Sequence, residues 1–306
     1  MINFRRAAWS LAILLAAALQ IAAAPASRRA PAADPGAIAP AAWPARHVVQ
    51  GHPAARGVIR TLDIPGLVGL LNAWEFQMAA FSQRYRCIAF DHRGTGDSDK
   101  PPTGYTTELI ARDVIALMDK LGIDKAHIAG TSTGGCILQT VAIDHPGRLR
   151  CAIFSNTWVK ADEFIMRVQT TRKRIAVTYG PAEYVKVSSL FTNGAQQFRF
   201  NLDKVMELEK RALTTVAPVD ILAQRLDMSM LHDREAELGK IAAPSLIVGT
   251  LDDATVPSYQ SEDLHNGIPG SRLIVMPEGG HYSYRRHWQE WNKTVTAFLD
   301  QTEASV

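Results

Sequence analysis

The chain has 306 residues, a length that fits either two average domains or one larger α/β domain. Its 47% apolar and 21% charged content is the ordinary balance of a soluble globular protein with a sizeable core. A net charge of only +3, with the basic residues scattered, leaves no footprint for nucleic acid.

At the N-terminus, Arg5-Arg6 precede an apolar stretch from Ala7 to Ala24, in which Ala22-Ala23-Ala24 offer small residues for cleavage. Residues 1–26 therefore read as a signal peptide or an N-terminal anchor, which places the protein in the periplasm or outside the cell. The alternative is a mis-called start, which makes the protein cytoplasmic. Residues 27–57 are rich in Ala, Pro and Arg without periodicity and read as a linker that includes His47 and His52.

Val58 to Ile64 is a weak strand pattern closed by Pro65-Gly66, and Asn72 to Ser82 a short helix with Trp74, Met78 and Phe81 on one face. Arg86 to Phe90 is a buried-strand run stopped by the polar segment DHRGTGDS. Thr106 or Thr107 caps a helix in which Ile110, Val114, Leu117, Met118 and Leu121 keep a period near 3.6. His127 to Ala129 is the next strand, Cys136 to Asp144 a helix ended by Pro146, and Leu149 to Phe154 a further strand. Residues 156–237 carry helical patterns and no strand fit to join a sheet. Strands resume at Ser245 to Gly249 and Arg272 to Met276, and a helix from about Trp288 to Leu299 closes the chain.

Such alternation calls for an α/β fold: one mostly parallel twisted sheet with helices on both faces. Residues 58–155 and 238–306 form it, and residues 156–237 are inserted as a helical cap. Cys87, Cys136 and Cys151 lie in apolar runs with no CxxC spacing, so buried reduced thiols are expected rather than a zinc site or bridges. The basic clusters Arg172-Lys173-Arg174 and Arg285-Arg286 read as solvated helix faces, with contact to an acidic ligand as the alternative for either.

The chemistry centres on Gly130-Thr131-Ser132-Thr133-Gly134, a G-x-S-x-G between a strand and a helix. A turn this tight projects the serine hydroxyl above the sheet edge, with a helix N-terminus behind it. A hydroxyl needs a base, and nine histidines compete. His281 stands apart because it follows Glu278-Gly279-Gly280 at the carboxyl end of the Arg272 to Met276 strand, on the same rim as Ser132. The imidazole needs an orienting carboxylate, and both Asp252 and Asp253 follow the Ser245 to Gly249 strand at that rim. Spacing alone does not choose between them; the other is expected to be a turn residue.

From Pro65 to the C-terminus the chain resembles the α/β-hydrolase family. The branch is that of enol-lactonases, meta-cleavage product hydrolases and aminoacrylate/carbamate hydrolases. The resemblance rests on PGLVG, Asn72-Ala73-Trp74, DHRGTGDS, GTSTGG, DDATVP and GGH in that order. It implies a Ser-His-Asp triad, and it favours Asp253, which stands four residues before Pro257 as the family's acid does. It also implies an oxyanion hole made by the backbone N–H groups of Leu67 and Thr133, although Pro65-Gly66 stands where the family often has His-Gly. Arg60 and Asp63 depart from the fully apolar central strand of the family.

The resulting expectation is a serine hydrolase cleaving an ester, lactone or related acyl bond of a small molecule. The alternatives are C–N cleavage of carbamate or aminoacrylate type, or C–C cleavage. A serine in the elbow excludes the related dehalogenases and epoxide hydrolases, and no cofactor or metal is implied, since no Walker A or dinucleotide motif is present. Trp158, Phe164, Met166 and Phe191 are candidates to line the pocket from the cap, and Arg167 or Arg172 to bind a substrate carboxylate. A non-catalytic binding protein on the same fold is the competing class. A small-molecule partner is expected, no dedicated protein partner is inferred, and a homo-oligomer is left open.

Overall fold

The computed structural model describes residues 47–50 and 60–304. Most of the leader and linker lies outside them, and with it the export signal. Within the linker range, however, His47–Gln50 forms a strand, β1, which corrects the reading of residues 27–57 as linker throughout. Four residues are too few to show a period. The pairing that fixes them, antiparallel to Arg86–Phe90, comes from outside the segment.

Six parallel strands follow: β2 (Arg60–Ile64), β3 (Arg86–Phe90), β4 (Ala126–Thr131), β5 (Leu149–Ser155), β6 (Ser245–Thr250) and β7 (Arg272–Met276). They lie in the order β1-β3-β2-β4-β5-β6-β7. Strands β3 to β6 are almost wholly buried on both faces, whereas the edge strand β7 is only partly so, and period-two alternation sorts the side chains. Leu62, Ile64, Ile88, Phe90, Ile128, Phe154 and Ile247 enter one core. Cys87, Ala89, Ala129, Ile153, Leu246 and Val248 enter the other.

Helices cover each face. On the first lie α2 (Thr107–Lys120) and α3 (Thr133–Asp144), through Ile110, Val114, Leu117, Ile137 and Val141. On the second lie α1 (Glu75–Phe81) and the C-terminal helix, Trp288–Ala304, through Met78, Phe81, Trp291, Val295 and Phe298. Thr106 caps α2, its hydroxyl accepting from the Leu109 N–H at 3.1 Å.

Between β5 and β6 stand α4 (Glu163–Tyr179), α5 (Pro181–Phe200), α6 (Leu202–Thr215) and α7 (Val219–Leu231). An isolated antiparallel bridge between Lys160 and Asp233 closes the neck of this insertion. After β6 comes α8 (Tyr259–Gly267), and Trp288–Ala304 is α9. Helix α3 begins at Thr133 rather than Cys136, so the glycines expected to form a turn lie inside the helix. Gly134 is needed there because a Cβ would stand 2.3 Å from the Ile64 carbonyl oxygen. No described helix is long and apolar enough to cross a membrane.

The three cysteines are buried and unbridged, and burial pushes the Cys87 and Cys136 thiols up to about 12. Asp63 sits in the middle of the sheet, its backbone paired to both β3 and β4, and only 2% exposed. Burial raises its carboxyl from 3.8 to about 8, so the acid is neutral in the fold at pH 7. A folded-state pKa above the unfolded one favours folding most below the ordinary carboxylate range. That contribution declines as the unfolded chain ionises and is gone once pH passes about 8. Urea midpoints measured from pH 5 to 9 should therefore fall more steeply for the wild type than for Asp63→Asn. Parallel curves would show that Asp63 is not a neutral buried acid.

Candidate active site

Strand β4 delivers Ser132 into a tight turn where φ is 55° and ψ is −128°, one of two non-glycine residues with positive φ among those described. The strain is held by bonds on every side. The Ser132 N–H donates to the Ser155 carbonyl oxygen at 2.9 Å, and its own carbonyl oxygen accepts from Thr157 Oγ1 at 2.7 Å and the Gly135 N–H at 2.8 Å. Its hydroxyl therefore stays above the carboxyl end of the sheet.

At the same rim, the loop after β7 turns through Gly280, whose φ of 58° only glycine adopts at low cost, and presents His281. Nε2 of His281 lies 3.0 Å from Ser132 Oγ, and its Nδ1 lies 2.8 Å from Asp253 Oδ2. All three side chains are buried. Asp253 is held by the backbone N–H groups of Thr255 and Val256, which donate to Oδ1 at 2.8 and 2.9 Å. With the contacts to His281 and Asn156 at Oδ2, four hydrogen bonds fix the carboxyl and aim its Oδ2 edge at the imidazole.

Asp252 and Asp253 divide the labour. Asp252 does not touch the ring; its Oδ1 and Oδ2 accept from the N–H groups of Gly280 (2.7 Å) and Gly279 (3.2 Å). What was expected to be a plain turn residue anchors the loop that carries His281. Asn156 was missed by sequence reasoning altogether. Its Nδ2 donates to Asp253 Oδ2 (2.9 Å) and Thr250 Oγ1 (3.0 Å), and its Oδ1 accepts from Ser283 Oγ (3.0 Å). The available signal was its position, one residue past the end of β5 and on the rim where Ser132 stands.

Two backbone segments border the hydroxyl. Thr133 is the first residue of α3, so its N–H has no acceptor within the helix. On the other side Gly66 lies against Ser132, its Cβ position 3.2 Å from Ser132 Cβ, and Leu67 follows it at the wall of the cavity.

That cavity, of about 230 Å³, is bounded by Ser132 and His281 below and by Arg172, Tyr184, Ser188 and Asn193 of the cap above. The candidate lining residues are sorted by the faces of α4. Ile165, Val168, Gln169, Arg172 and Ala176 form its buried stripe, in the i, i+3, i+4, i+7 order of one helix face. Phe164, Met166 and Arg167 fall on the opposite face. Phe164 and Met166 are exposed, and Arg167 pairs with Glu163 at 2.7 Å in solvent, so none of the three lines the cavity. Trp158 is fully buried but packs beside α3 with Cys136, Ile165 and Val256, away from the cavity, and Phe191 is half-buried outside it.

Arg172 does line it, which overturns its reading as part of a solvated basic face. Its guanidinium donates to Ser188 Oγ (3.0 Å), Gln169 Oε1 (2.9 Å) and Tyr184 OH (3.0 Å), all neutral partners. The cluster at Arg285-Arg286 is likewise not free in solvent. Arg285 pairs with Glu75 at 2.5 Å, and Arg286 donates to the Gly279 carbonyl oxygen (2.8 Å) and Asn193 Oδ1 (2.5 Å), joining α5 to the His281 loop.

A family model described as alpha/beta hydrolase fold matches residues 62–285. The chain is 30% identical over 236 residues to "Putative carbamate hydrolase RutD" of Pseudomonas savastanoi, covering 77% of this chain and 91% of that one. It is 32% identical over 216 residues to the protein of the same name in Azorhizobium caulinodans, covering 71% and 82%. Among solved structures, the enol-lactonase from Burkholderia xenovorans LB400 has the same fold, with a TM-score of 0.77 at 23% identity over 84% of this chain and 96% of that one. A thermophilic esterase from Thermogutta terrifontis gives 0.74 at 22% identity, covering 84% and 93%.

A hydroxyl in line with an imidazole and a carboxylate should react with electrophiles aimed at activated serines. A fluorophosphonate is expected to label Ser132. Asp253→Asn should slow that labelling by about 100-fold or more, because the imidazole loses its orienting charge, while Asp252→Asn should slow it less than about tenfold. Equal effects of the two substitutions, read by intact-protein mass against time, would contradict the division of roles.

Proposed function

The chain belongs to the α/β-hydrolase fold family, and from that premise we propose that it is a serine hydrolase cleaving an ester, lactone or related acyl bond of a small molecule. The observation that carries the reading is the unbroken line Ser132 Oγ, His281 Nε2, His281 Nδ1, Asp253 Oδ2, with separations of 3.0 Å and 2.8 Å at the two hydrogen bonds.

The chemistry follows from that line. Ser132 Oγ attacks the acyl carbon as His281 takes its proton, and the negative charge of Asp253 stabilises the imidazolium that forms. The carbonyl oxygen, now an oxyanion, accepts from the N–H groups of Leu67 and Thr133, which need no reorganisation at the moment charge develops. Collapse of the tetrahedral adduct expels the leaving group, protonated by His281. Water then enters and attacks the acyl carbon as it gives a proton to the same imidazole. The imidazole returns that proton to Ser132 Oγ as the acyl–Oγ bond breaks and the acid leaves.

Arg172 favours a narrower substrate class within this reading. A buried guanidinium whose partners among the described residues are all neutral is incompletely compensated, and a ligand bearing an anionic group supplies the missing charge. This supports small acids, and the relatives named as carbamate hydrolases make a carbamate the second reading to test beside esters and lactones.

Two outcomes are expected from a panel of short p-nitrophenyl esters, lactones and carbamates. Ser132→Ala should fold with an unchanged urea midpoint and lose about 10⁴-fold or more in kcat; undiminished turnover would reject the assignment. Arg172→Met should raise KM for carboxylate-bearing substrates about tenfold or more and leave neutral esters within about threefold, since one charge-assisted contact is removed. An equal change for both kinds would argue against an anion site at Arg172.

A further inference from the structure

Arg225 is a fully buried arginine on α7 of the cap, and among the described residues no carboxylate pairs with it. Its guanidinium reaches out of the cap into two core loops. Nε and Nη2 both donate to the Leu67 carbonyl oxygen, at 3.0 and 2.7 Å, and Nη1 donates to the Arg93 carbonyl oxygen at 3.0 Å. Nη2 also lies 3.1 Å from Nδ1 of His92, a ring that burial and the nearby guanidinium keep neutral. Burial lowers the Arg225 pKa to about 10, which leaves it charged at neutral pH. A buried cation spent on two carbonyls and an imidazole is costly, so what those acceptors do matters.

Leu67 is the proposed oxyanion donor on the loop after β2. Its peptide is fixed from both sides. The Gly66 carbonyl oxygen accepts from the Gly69 N–H at 2.9 Å, and in a trans peptide that also fixes the opposed Leu67 N–H. The next peptide plane is fixed by the two bonds from Arg225. The loop's far end is tied as well, since the Gly69 carbonyl oxygen accepts from the His92 N–H (2.8 Å) and Thr95 Oγ1 (3.0 Å). Arg93, whose carbonyl receives the third bond, is braced by a bidentate pair to Asp113 at 2.5 Å on each arm. A cavity of about 40 Å³ borders Leu67, Val68, Thr95 and Arg225, so the loop has room to relax if the guanidinium is removed.

Resting on the serine-hydrolase reading, we infer that Arg225 is a positioning residue for the oxyanion donor at Leu67, so that a single side chain of the cap sets the geometry of the acyl-transfer centre. The cap then does more than cover the cavity. A displacement of α7 releases the Leu67 carbonyl and leaves the aim of the N–H to the Gly66–Gly69 turn alone, so catalysis depends on how the cap is seated even for substrates too small to touch it.

The test uses the full chain with p-nitrophenyl acetate, and with phenylboronic acid as a mimic of the tetrahedral adduct. Wild type must turn over the ester and take a fluorophosphonate at Ser132. If it does neither, the serine-hydrolase reading fails and this inference fails with it. Given an active wild type, Arg225→Met should lose about 100-fold in kcat with KM within about threefold, and should bind the boronate more weakly in proportion, the size expected for a misaimed oxyanion donor. Arg225→Lys, a point charge without the fork, should fall between the two. Added methylguanidinium should restore part of the kcat of Arg225→Ala. A folded Arg225→Met with unchanged kcat, a change in KM alone, or an unchanged boronate affinity would overturn the inference while leaving the hydrolase reading intact. If the arginine variants fail to fold, Thr95→Val frees the same loop without exposing the buried charge. It should lower kcat and boronate affinity together by about fivefold, and wild-type values for both would overturn the inference equally.

Discussion

The hydrogen bond between Ser132 Oγ and His281 Nε2 joins residues 149 positions apart in the chain, and everything around the site serves to hold it. Parallel strands make this feasible because their carboxyl ends all open on one rim. Ser132 leaves β4, Asn156 leaves β5, Asp253 leaves β6 and His281 leaves β7, four neighbours in the sheet. The loops need not be long, since the sheet has already brought the strand ends together.

Three buried charged or titratable groups show how the fold treats polar material. Asp63, in a central strand, sheds its charge because burial strips it of water. Arg225 keeps its charge and spends it on loop carbonyls. Arg172 faces a cavity, with hydroxyl and amide partners that orient it and no carboxylate bonded to it among the described residues. Desolvation costs the same kind of energy in each case, and the environment decides whether the group goes neutral, becomes a clamp or waits for a ligand.

Much of this could be read from the residues, and the failures have physical causes. The strand ends at Phe90 and Met276 were legible to the residue, and those at Thr131, Ser155 and Thr250 to within two, because buried parallel strands are apolar runs stopped by polar or glycine-rich segments. Ser132 and His281 sit beyond the ends of β4 and β7. Asp252 and Asp253 were not separable without the family resemblance, because both follow β6 and only the twist of the turn decides which faces the ring. The lining of the cavity was illegible for a related reason. Which face of α4 turns inward depends on how the cap seats on the core, and a run such as Arg172-Lys173-Arg174 looks solvated until that seating buries its first member. Strand β1 was lost because its identity lies in its partner β3 rather than in its own four residues.

The central claim is that Ser132 becomes covalently acylated, and trapping that intermediate tests it most directly. Mixed with p-nitrophenyl N,N-dimethylcarbamate, whose carbamoyl-enzyme hydrolyses slowly, the protein should release one equivalent of p-nitrophenolate in a burst. The carbamoyl mass should then map to the peptide that contains Ser132. Release of nitrophenolate with no adduct, or with the adduct on another residue, would contradict the account.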